Sequence, residues 1–275
     1  MSAHLIFLLG GGLLLSKRGK LGIALLVVGC LILLLMAVKT VRDANSWSSS
    51  HKISPVIHTT EHVMTIGSSV TRGWMDTGWK AWKKGWFGGY IVRGFASLSK
   101  ATPNHYVIVD HTIVGANSTQ MTTLYKGEMT RWLRTVRPNA VVISWGLLND
   151  ALPKTPLSTF RAHIHHEIAN VLAHHAVVLM VTPPVTQASL TTYKTQFATY
   201  LTAELQVAQN FHSKNVYEID LYNQMKRYME VHHQNIDQYV GNSWHPNAAG
   251  HTLAGLLLYH DLLAQFGTRP IVYHS

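Results

Sequence analysis

The sequence predicts an α/β domain built on a parallel β-sheet with helices on both faces. Five short, almost wholly apolar runs recur between His62 and Tyr222. Segments with apolar residues at helical spacing separate them. Runs that are apolar throughout, rather than alternating, suit strands buried on both faces. Parallel neighbours need a crossover of about a dozen residues or more, which the helical segments supply. No repeat of about 20–50 residues is visible.

The elements follow in order. Leu21 to Val38, "LGIALLVVGCLILLLMAV", carries no charge and is 18 residues long. That length suits a membrane-spanning helix, and it shows no polar face. Upstream, Ala3 to Leu15 is apolar but shorter, with three glycines. It reads either as the first arm of a helical hairpin or as a re-entrant start. "SKRGK", Ser16 to Lys20, lies between them and places that point on the cytoplasmic side. Everything after Val38 is then extracytoplasmic. A cleaved signal peptide is the rival reading, but no small-residue cleavage site follows Val38. Residues 1–41 are therefore expected to anchor the chain. Residues 42–57, polar and serine-rich, read as a linker, and 58–275 as the globular domain.

Within that domain, "HVMTIG" (His62–Gly67) reads as the first strand and Gly88–Ala101 as a helix. His105–Gly115 contains the second strand, and Thr119–Pro138 reads as one helix stopped by proline. "NAVVISWG" (Asn139–Gly146) is the third strand. Thr155–His175 reads as a helix with Thr155 as cap and Pro156 in its first turn. "AVVLMVTPP" (Ala176–Pro184) is the fourth strand, Leu190–Phe211 a helix, and "NVYEIDLY" (Asn215–Tyr222) the fifth strand. His245–Gly267 is the last helix, with Pro246 at its first position.

Composition narrows the function classes. The chain has 275 residues, room for one sizeable domain and a short appendage. Its formal net charge is +10, but the basic residues are scattered and no nucleic-acid motif is present. A solvated basic surface is expected, without nucleic acid as a partner. Thirteen acidic residues and 18 histidines suit a mildly acidic medium, because few carboxylate pairs would be lost there. The single cysteine, Cys30, excludes an intramolecular disulfide. It ends a loose lipobox-like "VVGC", but apolar rather than polar residues follow. The histidine pairs 165–166, 174–175 and 232–233 point in different directions on a helix, and no zinc spacing occurs, so no metal is expected.

The chemistry-bearing residues fall at the carboxyl ends of strands, where ligands of such sheets sit. Ser69, in "TIGSSVTRGW", follows the first strand and a glycine. A serine hydroxyl needs a base to become a nucleophile, and acyl transfer needs donors for its oxyanion. Gly115 in "IVGANST" follows the second strand. Asn149 in "SWGLLND" follows the third and offers an amide. His245 in "NSWHPNAAGH" precedes the last helix. His251 is a rival base, but it falls inside that helix.

These four blocks, in this order, resemble those of the SGNH/GDSL hydrolases. The resemblance spans nearly all of His58 to the C-terminus. It implies a flavodoxin-like three-layer α/β/α sandwich, no cofactor or metal, and ester hydrolysis or acyl transfer. It assigns Ser69 as nucleophile and His245 as base. The oxyanion donors it implies are Ser69, Gly115 and Asn149. Three positions depart from the family pattern. Ser68 stands where Asp is usual. Two residues, not one, separate Gly146 from Asn149. Asn242, three before His245, stands where the family places the triad Asp. Asn242 can orient the imidazole but brings no charge. A Ser69–His245 dyad, a carboxylate from Asp237 or Asp150, or a weakened enzyme are the readings this leaves open.

The expected function is a membrane-anchored, extracytoplasmic serine esterase acting on acyl esters, acetyl among them, through an acyl-enzyme. O-acyl transfer on cell-wall polymers is the alternative within enzymes, and a binding module is the alternative outside them. The stretch holding Trp74, Trp79, Trp82 and Trp86 reads as surface packing or as a substrate or membrane lip.

Overall fold

The computed structural model describes residues 59–75 and 88–275. The expected anchor and linker, Cys30, Trp79, Trp82 and Trp86 lie outside the described residues. Among the described residues no helix is long and apolar enough to cross a membrane.

Five strands form one parallel sheet: β1 (Thr60–Gly67), β2 (His105–Asp110), β3 (Ala140–Ser144), β4 (Val177–Val181) and β5 (Val216–Ile219). Their spatial order is β2-β1-β3-β4-β5. Every residue of β3 and β4 is buried, which is why both read as unbroken apolar runs. The edge strands keep exposed polar residues, His105 on β2 and Glu218 on β5.

The first helices are α1 (Ser69–Arg72), α2 (Tyr90–Ala101), α3 (Ser118–Thr122), α4 (Lys126–Val136) and α5 (Leu148–Ala151). They are followed by α6 (Leu157–Ala173), α7 (Gln187–Leu190), α8 (Lys194–Gln209), α9 (Leu221–Val231) and α10 (Ala248–Phe266). Right-handed crossovers explain their distribution. The chain steps one way from β1 to β2 and the other way from β3 to β5, so α2 falls on one face and α6 and α8 on the other. The last helix, α10, packs on α2, and α6 packs on α8 and α3. Small residues bring α2 and α10 close together. A Cβ on Gly255 would lie 2.7 Å from Arg93 Cβ, and one on Gly94 would lie 2.9 Å from Leu258.

The α/β class and all five strands are as the sequence predicts; four helical details differ. The helix expected over Thr119–Pro138 is two helices, α3 and α4. The hydroxyls of Thr122 and Thr123 turn back to the Thr119 carbonyl at 3.2 and 2.7 Å, and the amide of Tyr125 bonds Gln120, closing a turn. The helix expected from Leu190 opens earlier as α7, under a Thr186–Ser189 capping box, and resumes as α8. Pro156 and Pro246 both precede their helices. Asn247 caps α10, and Pro156 itself occupies the cap position of α6 in place of Thr155. Helix α9 is unanticipated. Leu221 and Tyr222, read as strand, open it under the Asp220 cap, with Leu221, Met225 and Met229 buried four apart.

Candidate active site

The strand order reverses between β1 and β3, which is where open α/β sheets bind ligands. Gly67 ends β1 and pairs with Ser144 of β3. A Cβ at Gly67 would fall on the Ser144 carbonyl and on Thr71, so only glycine lets the chain turn this tightly. Ser68 then occupies the cap position of α1 without a side-chain cap bond, and Ser69 is the first residue of the helix, 9% exposed. The Ser69 amide opens a helix and has no carbonyl of its own helix to bond. Ser68 Oγ accepts the Gly146 amide at 3.2 Å, tying the Ser69 turn to the end of β3.

His245 arrives from the far end of the chain. Val240 and Pro246 form an isolated bridge, and the amides of Gly241 and Asn242 both donate to the His245 carbonyl. Asn247 braces the same loop. Its Nδ2 donates to the carbonyls of Gln238 and Val240, and its Oδ1 caps the Gly250 amide. The result places His245 Nε2 3.0 Å from Ser69 Oγ.

Asn242 Oδ1 lies 3.2 Å from His245 Nδ1 and also accepts the amides of Trp244 (2.8 Å) and His245 (2.9 Å). Two backbone donors fix which end of the amide faces the ring, because a flipped Nδ2 would oppose them. Nδ1 must then carry its hydrogen, and Nε2 presents a lone pair to the serine. Asn242 thus sets the tautomer that a general base requires, and lacks only the charge.

The two other blocks are joined to each other. Asn149 Nδ2 donates one hydrogen to the Ala116 carbonyl at 2.7 Å, beside Gly115, leaving the second for a ligand. Gly115 has a φ of 79°, a left-handed conformation that suits glycine, and space is open around its Cα. The extra residue between Gly146 and Asn149 is absorbed by a tight turn. Leu147, buried, takes a φ of 49°, and the Leu148 amide bonds Gly146 at 2.5 Å. This strained turn keeps Asn149 in reach of Ala116.

Neither alternative acid occupies the third position. Asp150 is buried and accepts Ser118 Oγ at 3.0 Å, and burial raises its carboxyl above the usual range. Asp237 is exposed on a 3-10 turn. His251 is not a rival base either, because it is fully buried with Nε2 3.1 Å from the Trp74 carbonyl. The histidine pairs have separate surroundings: His165 stacks on Phe211, His174 bonds the Asn170 carbonyl, and His232 lies against Tyr228. Among the described residues no group of three or more His, Cys, Asp or Glu could hold a metal.

Apart from Trp74, the sequence did not single out the residues that support α1. Thr71 Oγ1 donates to the Ser144 carbonyl, and Tyr90 OH bonds Ser144 Oγ at 2.5 Å. Arg72 pairs with Asp110 at 3.4 Å, holding α1 to β2. Trp74 leans on His245, ring centroids 6.3 Å apart. The hydroxyl residues Ser69 and Thr71, either side of Val70 at the start of a helix, were the available signal.

A serine bonded to a correctly oriented imidazole, at the switch point of a 2-1-3-4-5 sheet, defines the class as a flavodoxin-like serine hydrolase. The comparisons with known proteins agree. Residues 65–253 match the model of the GDSL-like Lipase/Acylhydrolase family, and the chain belongs to that family as an esterase or acylhydrolase. Among solved structures, a lipase/acylhydrolase from Enterococcus faecalis is similar at 17% identity and a TM-score of 0.54, over 76% of this chain and 99% of that one. A catalytic mutant of an acetylxylan esterase from Geobacillus stearothermophilus is similar at 15% identity and a TM-score of 0.57, over 80% and 99%. At these identities the likeness concerns the fold. No curated protein matches.

Proposed function

We propose that this chain is a membrane-anchored, extracytoplasmic serine esterase that cleaves small acyl esters through an acyl-enzyme. The observation that carries the catalytic reading is the 3.0 Å contact of Ser69 Oγ with His245 Nε2, on a ring whose Nδ1 faces Asn242 Oδ1. Ser69 Oγ attacks the acyl carbon while its proton passes to His245 Nε2. The amides of Ser69 and Gly115 and the free Nδ2 hydrogen of Asn149 receive the developing oxyanion. His245 then returns the proton to the leaving alcohol as the C–O bond breaks, and water completes the cycle. An acetyl group on a carbohydrate is the favoured substrate class. The acetylxylan esterase among the similar folds supports that choice.

Anchoring and location rest on the charge-free stretch Leu21–Val38 and the basic "SKRGK" before it. Protease added to intact cells should cleave the hydrolase domain; full protection would place it inside.

The decisive experiment is fluorophosphonate labelling together with hydrolysis of p-nitrophenyl acetate. Wild type should label and turn over, and Ser69→Ala should do neither. A folded wild type that neither labels nor hydrolyses the ester would overturn the catalytic reading in favour of a binding module. Acylation of an added polyol in preference to water would make the enzyme a transferase.

A further inference from the structure

The Ser69–His245 pair stands on a residue that closes the His245 block and takes no part in the proton transfer. The nucleophile helix α1 is a single turn, too short to hold itself in place. Its C-terminus ends in Gly73, φ 90°, and the Trp74 amide closes it on the Ser69 carbonyl at 2.9 Å. The Trp74 carbonyl is then taken up by His251 Nε2 at 3.1 Å, from the first turn of α10. A carbonyl can only accept, so Nε2 carries the hydrogen. His251 is wholly buried and lies parallel to the Tyr90 ring at 6.0 Å, interplanar angle 12°. Its Nδ1 has no hydrogen-bond partner among the described residues. A histidine that leaves one buried nitrogen unsatisfied costs stability where a leucine would not. The bond to Trp74 is the return on that cost.

We propose that His251 is a positioning residue for the serine–histidine pair. As a neutral imidazole it holds the Trp74 carbonyl, and so fixes both the end of the nucleophile helix and the indole that lies beside His245. This rests on the catalytic reading above.

Burial keeps His251 neutral against the pull of the Trp74 carbonyl, which favours the cation. Arg93 on α2 and His245 in the loop before α10 both oppose a second cation, and Tyr90, also on α2, is held neutral by its burial. Burial above all lowers the His251 pKa to about 4. Protonation would put a hydrogen on Nδ1, where no described residue accepts it, and would force the turn to reorganise.

The test compares His251→Phe, which keeps an aromatic ring but removes the donor, with His251→Gln, whose amide restores one. Fluorophosphonate labelling rate, kcat and KM on p-nitrophenyl acetate, the pH profile and Tm are measured for each. For His251→Phe, kcat and labelling rate should fall about tenfold with KM changed less than about twofold. His251→Gln should recover most of that loss. In wild type, activity should fall with a second proton below about pH 4, and that steeper limb should be absent in His251→Gln. If His251→Phe does not fold, the recovery and pH slope of His251→Gln decide. Equal losses in both variants, or a Tm drop with unchanged kcat and slope, would overturn the proposal. A wild type that never labels fails the catalytic reading instead, so the two failures are distinguishable.

Discussion

At the scale of single residues, the question is what an asparagine does where a carboxylate is usual. In serine proteases, replacing the triad aspartate by asparagine costs about 10⁴ in rate, largely because the histidine takes the wrong tautomer. Here the amides of Trp244 and His245 clamp Asn242 Oδ1 toward Nδ1, so the tautomer is right. What remains missing is the charge that stabilises the imidazolium. Asn242→Asp should therefore raise kcat/KM by roughly ten- to a hundredfold, less than the change in serine proteases, without a large change in KM. A loss of activity in that variant would mean the carboxylate turns away from the ring. Asn242→Leu should lose at least about tenfold, since the ring orientation goes as well. Asn242 is visible in the sequence as a departure; the clamp that makes it serviceable is not, because it is made of backbone amides.

At the scale of elements, the site depends on short structures held by side chains rather than by length. Asn247 caps α10 and ties the His245 loop to Gln238 and Val240. Asn247→Ala should cost about 1–2 kcal/mol in unfolding free energy, and should lower kcat more than a neutral surface change does. Chemical denaturation and steady-state kinetics check both. The α2–α10 contact is similarly exacting: Gly255→Val should lower Tm, because even a Cβ would lie 2.7 Å from Arg93 Cβ. Most of these elements were legible. The strands read as apolar runs because β3 and β4 are buried on both faces. The helix breaks were not, since Thr122 and Thr123 fit a helical pattern until their hydroxyls take a carbonyl. Helix α9 hid behind a strand of four residues, whose apolar run continues into Leu221 and Tyr222.

At the scale of the whole molecule, buried ionisable groups make stability depend on pH in two opposing ways. Glu167 and Glu204 are fully buried. Glu167 accepts Trp145 Nε1 at 2.9 Å, while both Glu204 oxygens have no hydrogen-bond partner among the described residues. Burial raises both carboxyls well above the usual value, and their mutual repulsion with Asp150 adds to it. A raised carboxyl binds its proton more tightly when folded. That contribution is complete below the ordinary carboxylate range near 4.5 and is lost as pH rises through the folded values. His251, lowered from 6.5 to about 4, works the other way: its contribution is present above about 6.5 and is lost as pH falls toward 4. Glu204→Gln, which keeps the shape without the charge, should raise Tm at pH 8 by about 2–4 °C and do little at pH 4.5. An unchanged Tm at pH 8 would mean the carboxyl ionises without cost. The low acidic count suggests tolerance of mild acid, and these buried acids add a physical cause that composition alone does not contain.

The sequence by itself determined the fold class, the order of the strands along the chain, and the four blocks that place the protein among the GDSL-like hydrolases. Those features are local, carried by apolar runs and by residues next to strand ends. The tertiary structure alone decided how the blocks complete one another. It turned Asn242 toward Nδ1, absorbed Leu147 in a strained turn, and seated His251 under Trp74. Each of these depends on hydrogen bonds and burial specified by the surrounding fold, and Ser69 meets His245 across 176 positions of chain. Periodicity and composition carry no record of contacts at that separation, because the residues that make them owe their positions to the packed sheet.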